Sequence, residues 1–548
     1  MASKSLMLPI LVTFTTVLVT LSSVQGELYT ALVEMEDLLI TESVLVDALD
    51  GFISVQEQRL EILKRKSLEY QREHADAAKD IQTYVSNPIN AYLLTKRLTT
   101  DWKAIESMML EDVGREFVSN ITRLRDDLKF PSDEDLNGAA VALMRLQDTY
   151  KLETSSVARG ELNGVQYSTA LTAGDCFELG RQSYNNGDFY HTVLWMQEAM
   201  QRLQMEKNKT TTREDILEYL AFSTYMQGNL PSALAMTNEL LEIVPNHQRA
   251  LGNKVYYENK MVEEKVIPSL EEKINEEQYV DDDASEEVHV PTERELYEKL
   301  CRGELGLGPR EQASLKCHLV TNDNPYLLIG PFKVEEVHRF PRILIFHDII
   351  YDTEIATIKR MAQPRFKRAT VQNYKTGELE TANYRISKSA WLKSEEHRHV
   401  YAVAERVRMM TGLEVDTAEE LQVVNYGIGG HYEPHFDFAR KEEVNAFKSL
   451  GTGNRIATVL FYMSDVAQGG ATVFPALKTS LWPKKGTAAF WYNLHPSGEG
   501  DYLTRHAACP VLAGSKWVSN KWLHERGQEF LRPCELNPEA AESTRQPF

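Results

Sequence analysis

Four residues in the last quarter of the chain have types and spacing suited to joint chemistry: His435, Asp437, His506 and Lys516. Successive side chains of a β-strand point to opposite faces, so a strand through this region would project His435 and Asp437 from one face. With His506 arriving from a later strand, two histidines and one carboxylate form the set that holds non-haem Fe(II) and leaves other positions open. Oxygen chemistry requires such open positions.

Lys516 follows His506 by ten residues and begins an otherwise apolar run that contains Trp517 and Val518. A lone cation in such a strand is costly to bury unless it meets an anion. A dicarboxylic co-substrate such as 2-oxoglutarate would supply that anion, and Lys516 is therefore predicted to bind it.

A His-x-Asp triplet alone has little weight, because a chain with 14 histidines contains such triplets by chance. The triplet followed by a later His, a Lys ten residues on and alternating apolar strands is more specific. With GTGNRIAT at 451–458, WPKKG at 482–486 and TRHAACP at 504–510, this region closely resembles the catalytic domain of the collagen prolyl 4-hydroxylase alpha-subunit family. The resemblance implies that His435, Asp437 and His506 bind iron and that Lys516 binds the distal carboxylate of 2-oxoglutarate.

The resemblance also implies a reaction. Oxidative decarboxylation of 2-oxoglutarate to succinate and CO2 would be coupled, with O2 and L-ascorbate, to hydroxylation of proline at C4 in X-Pro-Gly sequences. Tyr426 would add a hydrogen bond to the co-substrate. His524 matches a family His that assists co-substrate binding, with a structural role as the alternative. Two other functions stay open: a non-catalytic, chaperone-like binder of proline-rich chains, and a hydroxylase of lysine or of other prolines.

The region expected to carry this chemistry, residues 291–548 with a core at about 340–528, consists of short β runs bounded by Gly, Pro, Asn or Asp. Two helices are predicted near 353–361 and 394–410. Many short strands after a helical half predict a double-stranded β-helix, or jelly-roll barrel, with the metal site at its open mouth. The predicted strands are 342–346, 369–371, 421–426, 456–462, 488–492 and 516–518.

The first helical region, residues 27–165, begins with apolar side chains at heptad spacing over residues 28–70. Five such heptads, interrupted by Glu42 and Gln56, are typical of a coiled coil. A homodimerisation domain is predicted here, in agreement with the resemblance. An amphipathic helix packed on its own domain is the alternative. One row contains Leu32, Leu39, Val46, Ile53 and Leu60, and the companion row contains Leu28, Met35, Leu49 and Leu63.

Residues 166–260 contain two matches to the helix-turn-helix pattern of a tetratricopeptide repeat. Their tyrosine-rich face suits a polyproline II peptide, whose ring faces and free carbonyls need stacking and donors. The resemblance implies that this domain binds the proline-rich substrate. Tyr184 and Tyr225 have an alternative interpretation as core residues. The predicted peptide-binding residues are Tyr190, Tyr219, Tyr225, Arg249, Asn253 and Tyr256.

Acidic residues outnumber basic ones and give a formal net charge of −20. Nucleic acid recognition needs a basic footprint, so no nucleic-acid partner is expected. The most acidic run, residues 261–290, is interpreted as a solvated linker between the repeat and catalytic domains.

Residues 1–26 combine Lys4, a short apolar core and small residues near the end, which predicts a secretory signal peptide. No later apolar run has spanning length, so no membrane span is predicted. In the secretory pathway the sequons at Asn120 and Asn208 become glycosylation sites. The chain ends at Phe548 without a Lys-Asp-Glu-Leu type signal, so residence in the endoplasmic reticulum lumen would need a retained partner. The resemblance names protein disulfide isomerase, in a tetramer of two alpha and two isomerase subunits.

The secretory route permits disulfides among the five cysteines, and their odd number leaves at least one unpaired within the chain. Proximity in sequence favours the pairs Cys301–Cys317 and Cys509–Cys534 with Cys176 free, and the resemblance implies the same pairs. The residues by themselves leave the other pairings open.

Overall fold

The computed structural model describes residues 28–125, 127–266, 290–372, 379–382, 384–443, 446–448 and 450–536. The predicted signal peptide, most of the predicted acidic linker and the last twelve residues lie outside this description. No described helix is both long enough and apolar enough to cross a lipid bilayer. The N-terminal helices are α1 (Leu32–Lys79), α2 (Ile81–Ser86), α3 (Pro88–Lys96), α4 (Trp102–Leu110), α5 (Val113–Leu124), α6 (Asp133–Tyr150) and α7 (Thr154–Ala158), followed by the hairpin strands β1 (Glu161–Leu162) and β2 (Val165–Gln166).

The long helix α1 packs with one side against α5, where the rings of Phe52 and Phe117 lie 5.7 Å apart. The predicted heptad row lies on another side, and its members Leu39 and Leu60 are 68% and 51% exposed. The expected helical structure is present. The coiled coil, which requires a second chain, stays a prediction.

The helix α6 lies between the repeat domain and the catalytic domain. A capping box fixes its first turn, because the Ser132 side chain accepts from the Asp135 N–H and the Asp135 carboxylate accepts from Ser132. The side-chain Oε1 of Gln147 accepts a hydrogen bond of 2.8 Å from the Trp195 indole of the repeat domain. On the other side the Tyr150 hydroxyl donates to the Pro510 carbonyl at 2.5 Å. One helix therefore contacts both domains.

The repeat domain consists of antiparallel helices around a buried core that includes Trp195 and Ile216. Two glycines with positive φ, Gly187 at +75° and Gly228 at +83°, form the turns inside the helix pairs. This confirms the tetratricopeptide-like fold. Its helices are α8 (Ala173–Asn185), α9 (Phe189–Met205), α10 (Arg213–Met226), α11 (Leu230–Ile243) and α12 (Gln248–Val266).

The catalytic domain contains two antiparallel sheets that face each other. The nine-stranded sheet has the order β3-β4-β5-β16-β12-β19-β10-β9-β6, and the four-stranded sheet has the order β11-β17-β14-β15. This is the β-rich architecture expected of a jelly roll. The strands are β3 (Cys317–Val320), β4 (Phe332–Arg339), β5 (Arg342–His347), β6 (Lys367–Arg368), β7 (Thr370–Gln372), β8 (Leu379–Thr381), β9 (Ser387–Leu392), β10 (Leu421–Tyr426), β11 (Tyr432–His435), β12 (Arg455–Tyr462), β13 (Gln468–Gly469), β14 (Thr472–Phe474), β15 (Thr479–Leu481), β16 (Ala488–Tyr492), β17 (His506–Ala508), β18 (Val511–Ala513) and β19 (Trp517–His524).

Each face of the nine-stranded sheet has its own core. One face packs against two helices through residues such as Ile358 and Val403. The other face packs against the four-stranded sheet around Tyr462, Phe474 and Trp491. Both faces of the central strands are thus buried, so β10 has no exposed residue. The helices of this domain are α13 (Glu293–Cys301), α14 (Pro309–Gln312), α15 (Asp352–Ala362) and α16 (Arg398–Thr411).

The predicted disulfides Cys301–Cys317 and Cys509–Cys534 are wrong in this structure, which joins Cys301 to Cys509 with their Cα atoms 5.5 Å apart. The helix α13 packs on the four-stranded sheet, so these two cysteines meet although 208 positions separate them in sequence. Cys317 and Cys534 are exposed and free. Cys176 is free as expected, and burial raises the pKa of its thiol to about 12.

Candidate active site

The mouth of the barrel brings together the three residues predicted to bind metal. His435 at the end of β11 is the register partner of His506 in β17. Asp437 lies 3.8 Å (Oδ1) from His435 Nε2 and 3.7 Å (Oδ2) from His506 Nε2. One ligand atom from each residue therefore lies within 4.8 Å of the others. The strand predicted to carry both members of the triplet ends at His435, and Asp437 reaches the same point from the following bend.

The Nδ1 atom of each histidine is hydrogen-bonded to the backbone carbonyl of the residue two positions earlier. The distances are 2.8 Å from His435 to the Glu433 oxygen and 3.0 Å from His506 to the Thr504 oxygen. An Nδ1–H that donates to a carbonyl fixes the tautomer in which Nε2 carries a lone pair. Both lone pairs face the Asp437 carboxylate, so the donor set fits a metal ion.

The Asp437 carboxylate is held by a short buried hydrogen-bond chain. The Thr458 hydroxyl donates to Asp437 Oδ2 at 2.8 Å, and the Asn493 amide donates to the Thr458 oxygen at 2.9 Å. Burial by itself would raise the pKa of Asp437, but the neighbouring His506 and His435 lower it to about 2. Burial also holds the pKa of His435 well below its ordinary value. The site thus presents an ionised carboxylate and a neutral imidazole, as metal binding requires.

Lys516 lies in the same cavity with 1% of its surface exposed. Its Nζ is 4.8 Å from the centre of the Tyr426 ring, and burial lowers its pKa to about 7. Asp437 is the only acidic residue that lines the cavity in the described part of the chain. Burial raises the pKa of Tyr426 to about 12, so its phenol stays protonated. Burial shifts the pKa of Lys516 without an offsetting contribution from Asp437, and Arg385 adds a second cation to the cavity lining, so the cavity suits an anionic ligand.

His524 is fully buried at the end of β19 and does not line the described cavity. Its Nε2 lies 3.0 Å from Glu419 Oε1, and its Nδ1 lies 2.8 Å from the Gly453 oxygen. Glu419 also forms a bidentate pair with Arg455, whose guanidinium stacks 3.8 Å from the Trp522 ring. These contacts fit the structural alternative for His524 better than direct contact with a co-substrate.

Several residues around the metal site had no motif to identify them. The Tyr432 ring stacks on His435 at 3.5 Å, and Arg385 lies 4.8 Å from the Tyr432 ring centre. Trp491 meets His506 edge to face at 4.9 Å. Thr458 is the last residue of the GTGNRIAT segment at 451–458, but that segment gave it no predicted role.

On the repeat domain, aromatic side chains form a continuous row across α8, α10 and α12. Tyr184 contacts Tyr219 at 5.0 Å and Phe222 at 5.8 Å between ring centres. Phe222 contacts Tyr225, whose hydroxyl is 3.0 Å from that of Tyr256. Tyr184, Tyr219 and Tyr225 are only partly buried. Sequence reasoning missed Phe222 as a member of the row.

Three other predicted peptide-binding residues stand in different settings. Arg249 at the start of α12 forms an ion pair of 2.8 Å with Glu218. Asn253, one turn later, is partly exposed. Tyr190 on α9 is 56% exposed, and its ring contact is with His191 instead of the row.

Three family models match the chain. They are the prolyl 4-hydroxylase alpha-subunit N-terminal region at residues 31–164, the prolyl 4-hydroxylase peptide-substrate-binding domain at 173–264, and the 2OG-Fe(II) oxygenase superfamily at 421–524.

Whole-chain relatives agree with these matches. The human prolyl 4-hydroxylase subunit alpha-1 is 51% identical over 521 residues, covering 93% of this chain and 96% of the relative. Subunit alpha-2 of Caenorhabditis elegans is 49% identical, covering 94% and 95%. A solved viral collagen prolyl hydroxylase from Paramecium bursaria Chlorella virus-1 is 24% identical, and the match covers 33% of this chain and 94% of the viral chain. Its TM-score of 0.26 is too low to add to the assignment. The similarity to the whole-chain relatives shows that the chain belongs to the prolyl 4-hydroxylase alpha-subunit family.

Proposed function

We propose that the chain is the catalytic subunit of a procollagen-proline 4-dioxygenase, which hydroxylates proline at C4 in X-Pro-Gly sequences. The observation that carries the proposal is the convergence of two imidazole Nε2 atoms and one carboxylate on a point in the cavity that a buried lysine also lines. Bound Fe(II), with 2-oxoglutarate and O2, supplies the oxidising chemistry, in which decarboxylation yields succinate and CO2. L-Ascorbate is proposed as the reductant that maintains the iron.

In this proposal His435, Asp437 and His506 hold the iron, with Thr458 orienting the carboxylate. Lys516 pairs with the distal carboxylate of 2-oxoglutarate as a charge-assisted contact, and Tyr426 donates a hydrogen bond from its neutral phenol. His524 supports the site indirectly, because its ring is hydrogen-bonded to Glu419 and to the backbone carbonyl of Gly453. The buried cavity excludes bulk water, which strengthens each of these electrostatic contacts.

The repeat domain is proposed to hold procollagen through Tyr219, Tyr225 and Tyr256, with Arg249 and Asn253 as polar contacts at the end of the row. A row of aromatic rings with hydroxyl donors suits a polyproline II chain. Binding at the row raises the concentration of other prolines of the same chain at the metal site. Longer peptides should therefore bind more tightly than shorter ones.

The assembly proposed is an α2β2 tetramer with protein disulfide isomerase in the endoplasmic reticulum lumen. The exposed heptad row on α1 supports homodimerisation through the N-terminal helices. Asn208 is exposed between α9 and α10, and Asn120 lies on α5, so both remain candidates for glycosylation. The signal peptide at 1–26 completes this proposal.

Succinate release tests the function. The full chain, co-expressed with protein disulfide isomerase, would be assayed with Fe(II), ascorbate, 2-oxoglutarate and a (Pro-Pro-Gly) repeat peptide. We expect the wild type to form succinate and hydroxyproline only when the peptide is present, and His506→Ala to form neither product. His338→Ala is the control and should form both products, because the His338 ring is hydrogen-bonded to the Pro341 carbonyl away from the cavity. A wild type that binds the peptide without releasing succinate would favour the chaperone-like alternative.

A further inference from the structure

The residues that precede and begin α1 dock into the catalytic domain, although they lie about 390 positions earlier in the chain. The Ile428 N–H donates to the Tyr29 carbonyl at 3.0 Å. A Cβ at Gly427 would lie 1.9 Å from the same Tyr29 oxygen, so only glycine permits this approach. A buried ion pair joins Glu34 of α1 to Lys388 of β9. The first turn of α1 is therefore part of the catalytic domain's structure.

Asn425 connects that first turn to the cavity. Its side chain is fully buried, and its Oδ1 accepts a hydrogen bond of 3.1 Å from the Val33 N–H. Its Nδ2 donates to the carbonyl of Lys516 at 3.3 Å. The Tyr426 N–H donates to the same carbonyl at 3.2 Å. The side-chain amide of Asn425 thus links the N-terminal helix to the backbone of Lys516, whose side chain faces the cavity.

The Lys516 backbone needs this support because it stands one residue before β19 begins. The next residue, Trp517, is held by the Ser464 hydroxyl at 2.8 Å and by the ladder to β10. At Lys516 itself, Asn425 and Tyr426 both donate hydrogen bonds to the backbone carbonyl. These bonds fix the backbone position from which the Lys516 side chain extends. Since a buried amide left without partners is costly, the arrangement favours one position of Lys516.

We propose that Asn425 is a positioning residue for the co-substrate: held by the first turn of α1, it fixes the backbone from which the Lys516 ammonium reaches 2-oxoglutarate. This inference rests on the proposed function, which assigns 2-oxoglutarate to Lys516. It makes the N-terminal helix a determinant of co-substrate affinity, although that helix contributes no side chain to the cavity.

The test measures the dissociation constant of 2-oxoglutarate by calorimetry on the full chain in its co-expressed assembly, loaded with Mn(II) to prevent turnover. Asn425→Leu keeps the side-chain shape and removes both hydrogen bonds, and Asn425→Ser serves if the leucine variant does not fold. Thr41→Val is the matched control, because it removes a partly buried hydrogen bond of α1, from the Thr41 hydroxyl to the Lys129 carbonyl, within the N-terminal region.

We expect 2-oxoglutarate to bind about five- to tenfold more weakly to the Asn425 variant, as loss of a buried polar contact predicts. The Mn(II) affinity should stay within about twofold, since the metal ligands are untouched. Hydrogen exchange at the Val33 amide should rise in the variant. An unchanged 2-oxoglutarate affinity, or an equal loss in Thr41→Val, would overturn the inference alone. A wild type that does not bind 2-oxoglutarate would overturn the proposed function and the inference with it.

Discussion

At the scale of single residues, Lys516 is the group whose protonation should control co-substrate binding. Burial lowers its pKa to about 7 when no anion is present. A dicarboxylate requires the ammonium, so binding above pH 7 must take up a proton. Because the folded pKa lies below the unfolded value of 10.5, the contribution of Lys516 to the stability of the chain without co-substrate should rise as pH rises from 7 towards 10.5.

We therefore expect 2-oxoglutarate binding at pH 8 to take up close to one proton, and at pH 6 almost none. Its affinity should fall about tenfold per pH unit above pH 7. Calorimetry of the Mn(II)-loaded protein in buffers of different ionisation enthalpy measures the uptake.

Two variants isolate the source of that proton. Lys516→Met should abolish both the uptake and most of the affinity. Lys521→Met is the matched control, because Lys521 is equally buried but its ammonium donates to the Glu419 carbonyl outside the cavity. Uptake that is independent of pH between 6 and 8 would contradict the assignment.

The hydroxyl of Thr458 should affect iron more than co-substrate. Thr458→Val keeps the shape of the side chain and removes the donor to Asp437. Loss of such a support typically costs about 10- to 100-fold in metal affinity. Competition with a chelator would measure this. Thr411→Val, which loses a buried hydroxyl inside α16, should leave metal affinity unchanged, and equal effects in the two variants would refute the role.

The residues with distinctive chemistry were predictable, whereas their supports were not. The spacing of His435, Asp437 and His506, followed by Lys516 and supported by the family resemblance, was enough to predict that the four residues line one cavity. Asn493 could not be predicted, because it reaches Thr458 only through the pairing of β12 with β16.

At the scale of elements, His191 of α9 connects the repeat domain to α6. Its ring lies 2.7 Å from Asp188 in its own domain and 3.2 Å from Asp148 of α6. Burial alone would lower the pKa of His191, but the two carboxylates raise it to about 9.

Because the folded pKa of His191 is raised, its contribution to stability is complete below pH 6.5 and is lost as pH rises through about 9. We expect the His191 contribution to the free energy of unfolding to fall by up to about 3 kcal/mol over this range, opposite in sign to the contribution of Lys516. Urea unfolding at several pH values measures the change. In His191→Gln this part of the pH dependence should vanish, and identical slopes for both proteins would show that His191 contributes nothing.

The aromatic row should account for peptide affinity. Tyr256→Ala removes a ring at its end together with the hydroxyl contact to Tyr225. We expect (Pro-Pro-Gly) peptides to bind about tenfold more weakly, since a contacting aromatic ring contributes on the order of 1–2 kcal/mol. Tyr190 is also a predicted peptide contact, but it lies on α9 outside the row, so we expect Tyr190→Ala to change affinity by less than about twofold. Calorimetric titration distinguishes the two, and an equal loss would place the peptide elsewhere.

Strands with a continuous apolar run and helices with clear periodicity were predictable from sequence, and so was the short strand β7, but other three-residue strands were not. β10 has the predicted limits of 421–426, and α15 and α16 lie within a few residues of their expected positions. β14 and β17 have three residues each, too few for a period-two pattern. The disulfide depended on packing of α13 against the four-stranded sheet, which proximity in sequence does not reveal.

At the scale of the whole molecule, the exposed heptad row on α1 should determine the oligomeric state. Leu39→Glu combined with Ile53→Glu places charges in the predicted seam and should convert the α2β2 assembly to αβ units. Sedimentation velocity would show about half the mass. Leu68→Glu alters a leucine that is 54% exposed and outside both rows, so its assembly should stay intact. An intact tetramer in the double variant would exclude the seam.

The relative positions of the domains could not be predicted. Heptads and repeats in the sequence indicated three regions but gave no sign that α6 would lie between two of them. The contacts of Gln147 and Tyr150 join residues 48 and 360 positions apart, beyond the reach of any local pattern.

The docking of the first turn of α1 has a consequence for the timing of synthesis. Val33 and its partner Asn425 are 392 positions apart. At about 5–20 residues per second, a ribosome needs roughly 20 to 80 s between making the first and making the second. During that interval the first turn of α1 has been made, but the strand β10 on which it docks has not. The first turn of α1 is thus made early but can reach its native contacts only after β10 has been made, so the docking that positions Lys516 is a late step in the folding of this chain.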